Sequence, residues 1–127
     1  MMNHAQIVSR NLIAARRFYG AAARSLGLSV QDSAEGFVIG EAGGGAVLSV
    51  IARESATVDE QPETRPTLVA FEAPNGSSVR AFFREAMRAG GQDLRYPSPS
   101  PAFGPRAPYS AQVSDPDGNC IECTSRH

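Results

Sequence analysis

The segment Asp115-Pro116-Asp117-Gly118-Asn119-Cys120-Ile121-Glu122 describes a tight turn that leads into a strand. Proline fixes φ at a value that turns require, and Gly118-Asn119 tolerate the positive φ that closes the turn. The segment therefore predicts a hairpin of two strands, Tyr109–Ser114 and Cys120–Thr124. Alternation along the second strand puts Ile121 and Glu122 on opposite faces. A carboxylate placed opposite a core residue either binds a metal or a substrate, or lies on a solvated face.

Length and composition indicate one globular domain over residues 1–127, with 42% hydrophobic and 20% charged residues. The net charge of −1 gives no attraction toward nucleic acid or an anionic membrane. No apolar run approaches the roughly 20 residues that cross a bilayer, and the N-terminus lacks a signal-peptide pattern. All 12 basic residues are arginine, which excludes lysine Schiff-base chemistry. We expect a cytoplasmic protein with no nucleic-acid and no membrane partner.

Cys120 and Cys123 form a C-x-x-C pattern, which raises the alternatives of a redox pair or a zinc site. Residues three apart on a strand face opposite sides and lie about 10 Å apart, too far for a disulfide. A structural zinc site needs a second pair of ligands. The pattern therefore predicts two reduced cysteines that contribute to packing.

The first half of the chain predicts one strand, one helix and three more strands. The strand His4–Ser9 alternates in polarity, and Asn11 is positioned to cap a helix that ends before Gly27. The three further strands are predicted at Leu28–Asp32, Gly36–Gly40 and Ala46–Ala52. Gly43-Gly44-Gly45 joins the last two as a hairpin turn rather than a phosphate-binding loop, because no helix follows it.

The second half repeats this order after a polar linker at residues 53–66. A strand at Thr67–Glu72 is followed by a helix from Asn75 to Ala89, and by a short strand at Asp93–Tyr96. A proline-rich loop, Pro97–Pro108, precedes the final hairpin and is either a lid or a rigid connection. The predicted fold is α+β: two βαβββ modules, about 1–52 and about 67–127, whose sheets curl into a cup with the helices outside.

This arrangement resembles the vicinal oxygen chelate superfamily, which includes glyoxalase I, bleomycin-resistance proteins and extradiol dioxygenases. The resemblance covers nearly the whole chain. It rests on Asn3-His4, Arg17-Phe18-Tyr19, the stretch Leu68–Pro74 and the closing Asp-Pro-Asp-Gly-Asn-x-Ile-Glu. It implies a small-molecule ligand in the cup and a homodimer.

The resemblance also implies four positions for metal ligands, which fall on His4, Ser49, Leu68 and Glu122 in this sequence. Imidazole and carboxylate are competent ligands for Zn, Ni, Fe or Mn, whereas leucine cannot ligate and a serine hydroxyl is a poor ligand. Two ligands are too few for a tightly held catalytic ion. We therefore expect no cofactor, with a divalent metal as the alternative.

Two classes of function follow from the resemblance. The first is a metal-free protein that binds a small molecule, as the bleomycin-resistance proteins do. The second is an enzyme, a lyase, isomerase or dioxygenase, that uses His4 and Glu122 as an acid–base pair or as metal ligands. His4 and Glu122 could equally be a hydrogen-bonded pair in a vestigial site. Further residues expected to line the ligand site are Gln6, Ser49, Leu68, Arg106 and Tyr109.

Overall fold

The computed structural model describes residues 5–41, 45–53, 68–99 and 107–125. The first module contains β1 (Ala5–Ser9), α1 (Leu12–Ser25), β2 (Ser29–Asp32), β3 (Gly36–Gly40) and β4 (Ala46–Ala52). The second contains β5 (Leu68–Glu72), α2 (Gly76–Arg88), β6 (Gln92–Pro99), β7 (Tyr109–Ser114) and β8 (Cys120–Ser125). The predicted α+β fold of two βαβββ modules is confirmed.

The two sheets have the same topology. Their strand orders are β1-β4-β3-β2 and β5-β8-β7-β6, and the first pair in each order is parallel while the other pairs are antiparallel. Within the described parts of the chain, no strand of one sheet pairs with a strand of the other. The sheets therefore stay separate and do not close into a barrel.

The two helices begin and end in the same way. The side chain of Asn11 accepts a hydrogen bond from the backbone N–H of Ala14 at 3.1 Å, and that of Asn75 accepts one from Ser78 at 2.9 Å. Such caps each stabilise a helix by about 1 kcal/mol. Gly27 and Gly90 follow the two helices with φ of 71° and 104°, which is favourable for glycine. Both predicted helices are thus confirmed, together with their caps.

A single hydrophobic core extends through both modules, and the two helices contact each other. Each helix covers one face of its own sheet and leaves the other face without a helix. The uncovered face of the first sheet, which carries Gln6 and Ser49, is called the first open face. The uncovered face of the second sheet, which carries Glu122, is called the second open face. The largest fully buried side chains come from both modules: Phe18, Tyr19, Phe37, Ile39, Leu48, Phe71, Phe82 and Ile121.

The turn that defines the final hairpin also joins the two modules. The hydroxyl of Tyr19 in α1 donates to Asp115 Oδ2 at 2.5 Å, and Asp115 is only 4% exposed. The hydroxyl of Ser9, at the end of β1, donates to Asp117 Oδ2 at 2.7 Å. Gly118 closes the turn with φ of 91°, as predicted. The two aspartates were not predicted to form this junction, because their partners lie about a hundred residues away in the sequence.

The strand β6 is longer than predicted. The sequence indicated Asp93–Tyr96 followed by a proline-rich loop, whereas β6 extends to Pro99 and contains Pro97. Proline is tolerated because β6 is the outer strand of its sheet, and one side of an outer strand needs no ladder hydrogen bonds. Irregular register on both sides of Arg95 accommodates the extra length.

Other predictions fall on residues outside the described part of the chain. These are most of the linker at 53–66, Gly43 and Gly44 of the glycine turn, and residues 100–106 of the proline-rich loop. No helix in the described residues is long and apolar enough to cross a membrane.

Candidate ligand-binding face

Glu122 lies on the second open face, as the alternation predicted. In β8, Ile121 and Cys123 are buried in the core. Cys120 and Glu122 alternate with them and are half-buried on the opposite face. Strand β8 is flanked by β5 and β7, so Glu122 occupies a central position in the sheet rather than an edge. Strand β8 is hydrogen-bonded on both sides, which fixes the backbone position from which Glu122 projects.

The glutamate is oriented by a glutamine on the neighbouring strand. Gln112 is directly opposite Glu122 in the β7–β8 register, and its Nε2 donates to Glu122 Oε2 at 3.1 Å. This hydrogen bond occupies one of the lone pairs of the carboxylate and leaves others available for a ligand. Sequence reasoning did not identify Gln112, although the alternation in β7 places it on the same face as Glu122.

The two cysteines separate onto opposite faces and are both free thiols, as predicted. Burial, and to a smaller extent the negative charge of Glu122, raises the pKa of Cys123 to about 12. The pKa of Cys120 is also raised, by partial burial and then by Glu122. Both thiols therefore stay protonated near neutral pH, which does not suit a redox site or a thiolate ligand.

Apolar groups lie beside Glu122 on the strand β5. Ala70 is directly opposite Glu122, and Leu68 is opposite Cys120. Leu68 is 63% exposed and Ala70 is also exposed, so both offer apolar surface to a ligand. Glu72 alternates onto the same face of β5. The second open face thus combines an oriented carboxylate, a second exposed carboxylate and uncovered aliphatic side chains.

The first open face has a different composition. Gln6 in β1 is opposite Ser49 in β4, and Ser49 is opposite Val38 in β3. All residues that alternate onto this face within the described strands are uncharged. Gln6 and Ser49 therefore lie together, but on a different sheet from Glu122.

The predicted site residues that the structure describes lie on three sheet surfaces. Leu68 and Glu122 share the second open face, and Gln6 and Ser49 share the first. Tyr109 lies on the helix-covered face of β7, where its ring is 5.7 Å from the guanidinium carbon of Arg80 in α2. The structure does not bring Tyr109 together with Glu122. His4 and Arg106 lie outside the described residues.

Of the four expected ligand positions, Ser49, Leu68 and Glu122 are described, and Glu122 is the one with a carboxylate. Within the described residues no group of three or more His, Cys, Asp or Glu side chains is arranged to hold an ion. Glu122 faces Ala70 on one side and Gln112 on the other, and Gln112 directs its amide nitrogen toward the Glu122 carboxylate. We therefore assign no chemical step to a metal at this face.

The comparisons with known proteins agree with the fold. Paired βαβββ modules with a polar open sheet face define a class of small α+β proteins. A family model, Glyoxalase/Bleomycin resistance protein/Dioxygenase superfamily, matches residues 1–123. The chain belongs to this superfamily. No curated protein matches the chain.

Several solved structures share the architecture. A glyoxalase/bleomycin resistance protein from Albidiferax ferrireducens T118 is 24% identical, with a TM-score of 0.78 over 100% of this chain and 99% of that chain. A glyoxalase/bleomycin resistance protein/dioxygenase family enzyme from Burkholderia phytofirmans PsJN is 18% identical, with a TM-score of 0.72 over 98% and 97%. A glyoxalase-related enzyme from Fulvimarina pelagi is 24% identical, with a TM-score of 0.71 over 98% and 87%. At these identities the similarity establishes the fold alone.

Proposed function

We propose that this protein binds a small, partly apolar molecule on its second open face, without a catalytic metal. The observation that carries the proposal is the composition of that face. The hydrogen-bonded pair of Gln112 and Glu122 lies next to exposed Leu68 and Ala70. Small-molecule sites combine apolar surface with a few oriented polar groups, and this face supplies both.

Glu122 acts in this proposal as a hydrogen-bond acceptor. Gln112 holds its carboxylate from the side of β7, and a ligand hydroxyl or amino group approaches from the solvent side. A charged acceptor forms hydrogen bonds of about 1.5–3 kcal/mol, enough to orient a small ligand. Leu68 and Ala70 then cover an apolar portion of the same molecule.

Enclosure of the ligand requires a second surface opposite this face. A homodimer is the assembly we expect, because an open sheet face is completed when a second copy covers it.

The cytoplasm is the expected location of the protein, and we expect no nucleic-acid or membrane partner.

A thermal-shift screen tests the proposal. Aromatic antibiotics, catechols and α-keto thioesters are added to the purified protein, and the concentration of each stabilising compound is followed by mass spectrometry. A ligand at 100 times its Kd stabilises the folded state by about 2.7 kcal/mol, which gives a shift of several degrees. We expect Glu122→Gln to reduce this shift. The control is Glu35→Gln, which changes an exposed glutamate between β2 and β3 and should leave the shift unchanged.

The fate of the hit separates the two classes of function. A stabilising compound whose concentration stays constant supports binding and sequestration. A hit that is consumed only by protein with Glu122 and His4 intact supports the alternative, a lyase, isomerase or dioxygenase. If a ligand raises the melting temperature of Glu122→Gln as much as that of the unmodified protein, the placement of the ligand on the second open face is contradicted.

Metal content tests the metal-free part of the proposal. Protein purified without chelator is measured by plasma mass spectrometry, alongside His4→Ala. We expect less than stoichiometric divalent metal in both samples. One equivalent of Zn, Ni, Fe or Mn that disappears in His4→Ala would overturn this part.

A further inference from the structure

Arg95 places a positive charge on the second open face. We infer that the ligand of this face carries an anionic oxygen group, a carboxylate or a phosphate, which pairs with the Arg95 guanidinium. The inference rests on the proposed function and adds the chemical class of the ligand. Sequence reasoning missed Arg95 because the irregular register of β6 hides which face each residue occupies.

Arg95 lies in one row with the polar pair described above. It is opposite Gln112 in the β6–β7 register, and Gln112 is opposite Glu122 in the β7–β8 register. Ala70 follows on β5. Neighbouring strands lie about 4.8 Å apart, so the backbones of Arg95 and Glu122 are separated by roughly 10 Å. The row presents, in order, a guanidinium, an amide, a carboxylate and a methyl group.

Two serine hydroxyls hold the guanidinium in place. Arg95 Nη1 donates to Ser98 Oγ at 3.0 Å, and Nη2 donates to Ser110 Oγ. Ser98 Oγ in turn donates to the backbone carbonyl of Tyr96 at 3.1 Å, and Ser110 is buried. Because both hydroxyls are fixed, the side chain is oriented before a ligand arrives. This orientation lowers the entropy that binding would otherwise cost.

The charge of Arg95 is not neutralised by the residues that the structure describes. The ion pairs in those residues join Arg16 to Asp32, and Arg84 and Arg88 to Glu85. Serine hydroxyls carry no charge, and the nearest carboxylate of the row, Glu122, is two strands away. A guanidinium has five N–H donors, and the two serines take two of them. The remaining donors match the bidentate geometry of a carboxylate or a phosphate.

The order of groups in the row therefore defines a ligand. An anionic group pairs with Arg95, a hydroxyl or amino group donates to Glu122, and an apolar end rests on Ala70 and Leu68. Three strand spacings give such a molecule a length of about 14 Å. A neutral molecule of the same shape leaves the guanidinium without a counter-charge and binds more weakly.

A matched fragment set tests the inference by protein-observed NMR. Each aromatic ring system is supplied as its carboxylate, its phosphate and its neutral primary amide, and backbone amide shifts of β7 and β8 are followed. We expect the anionic members to bind at least tenfold more tightly than the amides. In Arg95→Met the affinities of the anionic members and the amides should lie within twofold of each other, and Arg95→Lys should restore part of the preference for the anions. Arg84→Met, which removes an exposed arginine of α2, leaves the preference intact.

Each outcome has a defined meaning. Amides that bind as tightly as the anions, or a preference that survives Arg95→Met, overturn the role of Arg95 and leave the proposed binding function in place. If no member of the set shifts the backbone amides of β7 and β8, both the role of Arg95 and the proposed binding function are contradicted. Comparison of the carboxylate and phosphate members then tells which anion the row prefers.

Discussion

The first and second open faces differ in chemistry although the two modules share one topology. Both sheets have a parallel pair followed by two antiparallel pairs, and both helices have an asparagine cap and a following glycine. The described residues of the first open face are uncharged, whereas the second carries Glu72 and, in one row, Arg95 and Glu122. The two modules therefore share one framework, and the charged side chains distinguish the second open face from the first.

The core is where the two modules are equivalent, and the largest effects are expected there. Phe37 in β3 and Phe71 in β5 are both almost fully buried in the same core. Alanine at either position should lower the free energy of unfolding by about 3–5 kcal/mol, measured by urea denaturation.

The unfolding profile of these variants shows whether the two modules unfold as one cooperative unit. Ile13→Ala, on an 86% exposed side chain of α1, serves as the control and should change stability by less than about 0.5 kcal/mol. A single cooperative transition is expected in both phenylalanine variants, because one core spans both modules. Two separate transitions would show that the modules unfold independently.

The junction turn is expected to give the next largest effect. Asp115 accepts hydrogen bonds from the Tyr19 hydroxyl, from Asn119 Nδ2 and from the backbone N–H groups of Asp117 and Asn119. Asp115→Ala leaves these donors, most of them buried, without an acceptor and should cost about 3 kcal/mol or more in unfolding free energy. Asp93→Ala removes an exposed carboxylate of the same module and should cost little. Equal losses in the two variants would refute the junction role.

The buried thiol of the second module predicts an alkaline pH dependence. The pKa of Cys123 is about 12 in the folded protein, above the value of roughly 8.5 for an unfolded chain. Between these values the unfolded chain has lost a proton that the folded protein keeps, so stability falls as pH rises. Tyr19, whose pKa burial and Asp115 also raise, acts in the same direction above about pH 10.

Urea denaturation at pH 8 and pH 10 measures this dependence. The decrease in unfolding free energy between the two pH values should be smaller in Cys123→Ala than in the unmodified protein. Cys120→Ala is the control, because its half-buried thiol contributes a smaller part of the decrease. An unchanged decrease in Cys123→Ala would show that the thiol does not drive the pH dependence.

Local signals in the sequence predicted most of the framework. Asn11 and Asn75 marked the helix starts, and alternation separated Ile121 from Glu122 correctly. These features depend on neighbours within a few residues, so the sequence reveals them. The family resemblance added the expected ligand positions, of which Ser49 and Glu122 lie on different sheets.

The remaining features depend on long-range contacts or irregular register. The bond from Tyr19 to Asp115 spans 96 residues, and no local pattern indicates it. Arg95 lies in an outer strand with two irregularities and a proline, so simple alternation fails there. The position and orientation of the Arg95 guanidinium are therefore seen only in the three-dimensional structure.

Chemical-shift mapping with the best hit from the screen shows which of the two open faces binds the ligand. We predict that the hit shifts backbone amides of β6, β7 and β8 around Arg95, Gln112 and Glu122, and that Glu122→Gln weakens binding about tenfold. Ser49→Ala, the matched change on the first open face, should alter binding less than twofold. Shifts confined to β1, β3 and β4, with full affinity in Glu122→Gln, would place the ligand on the first open face and refute binding at Glu122.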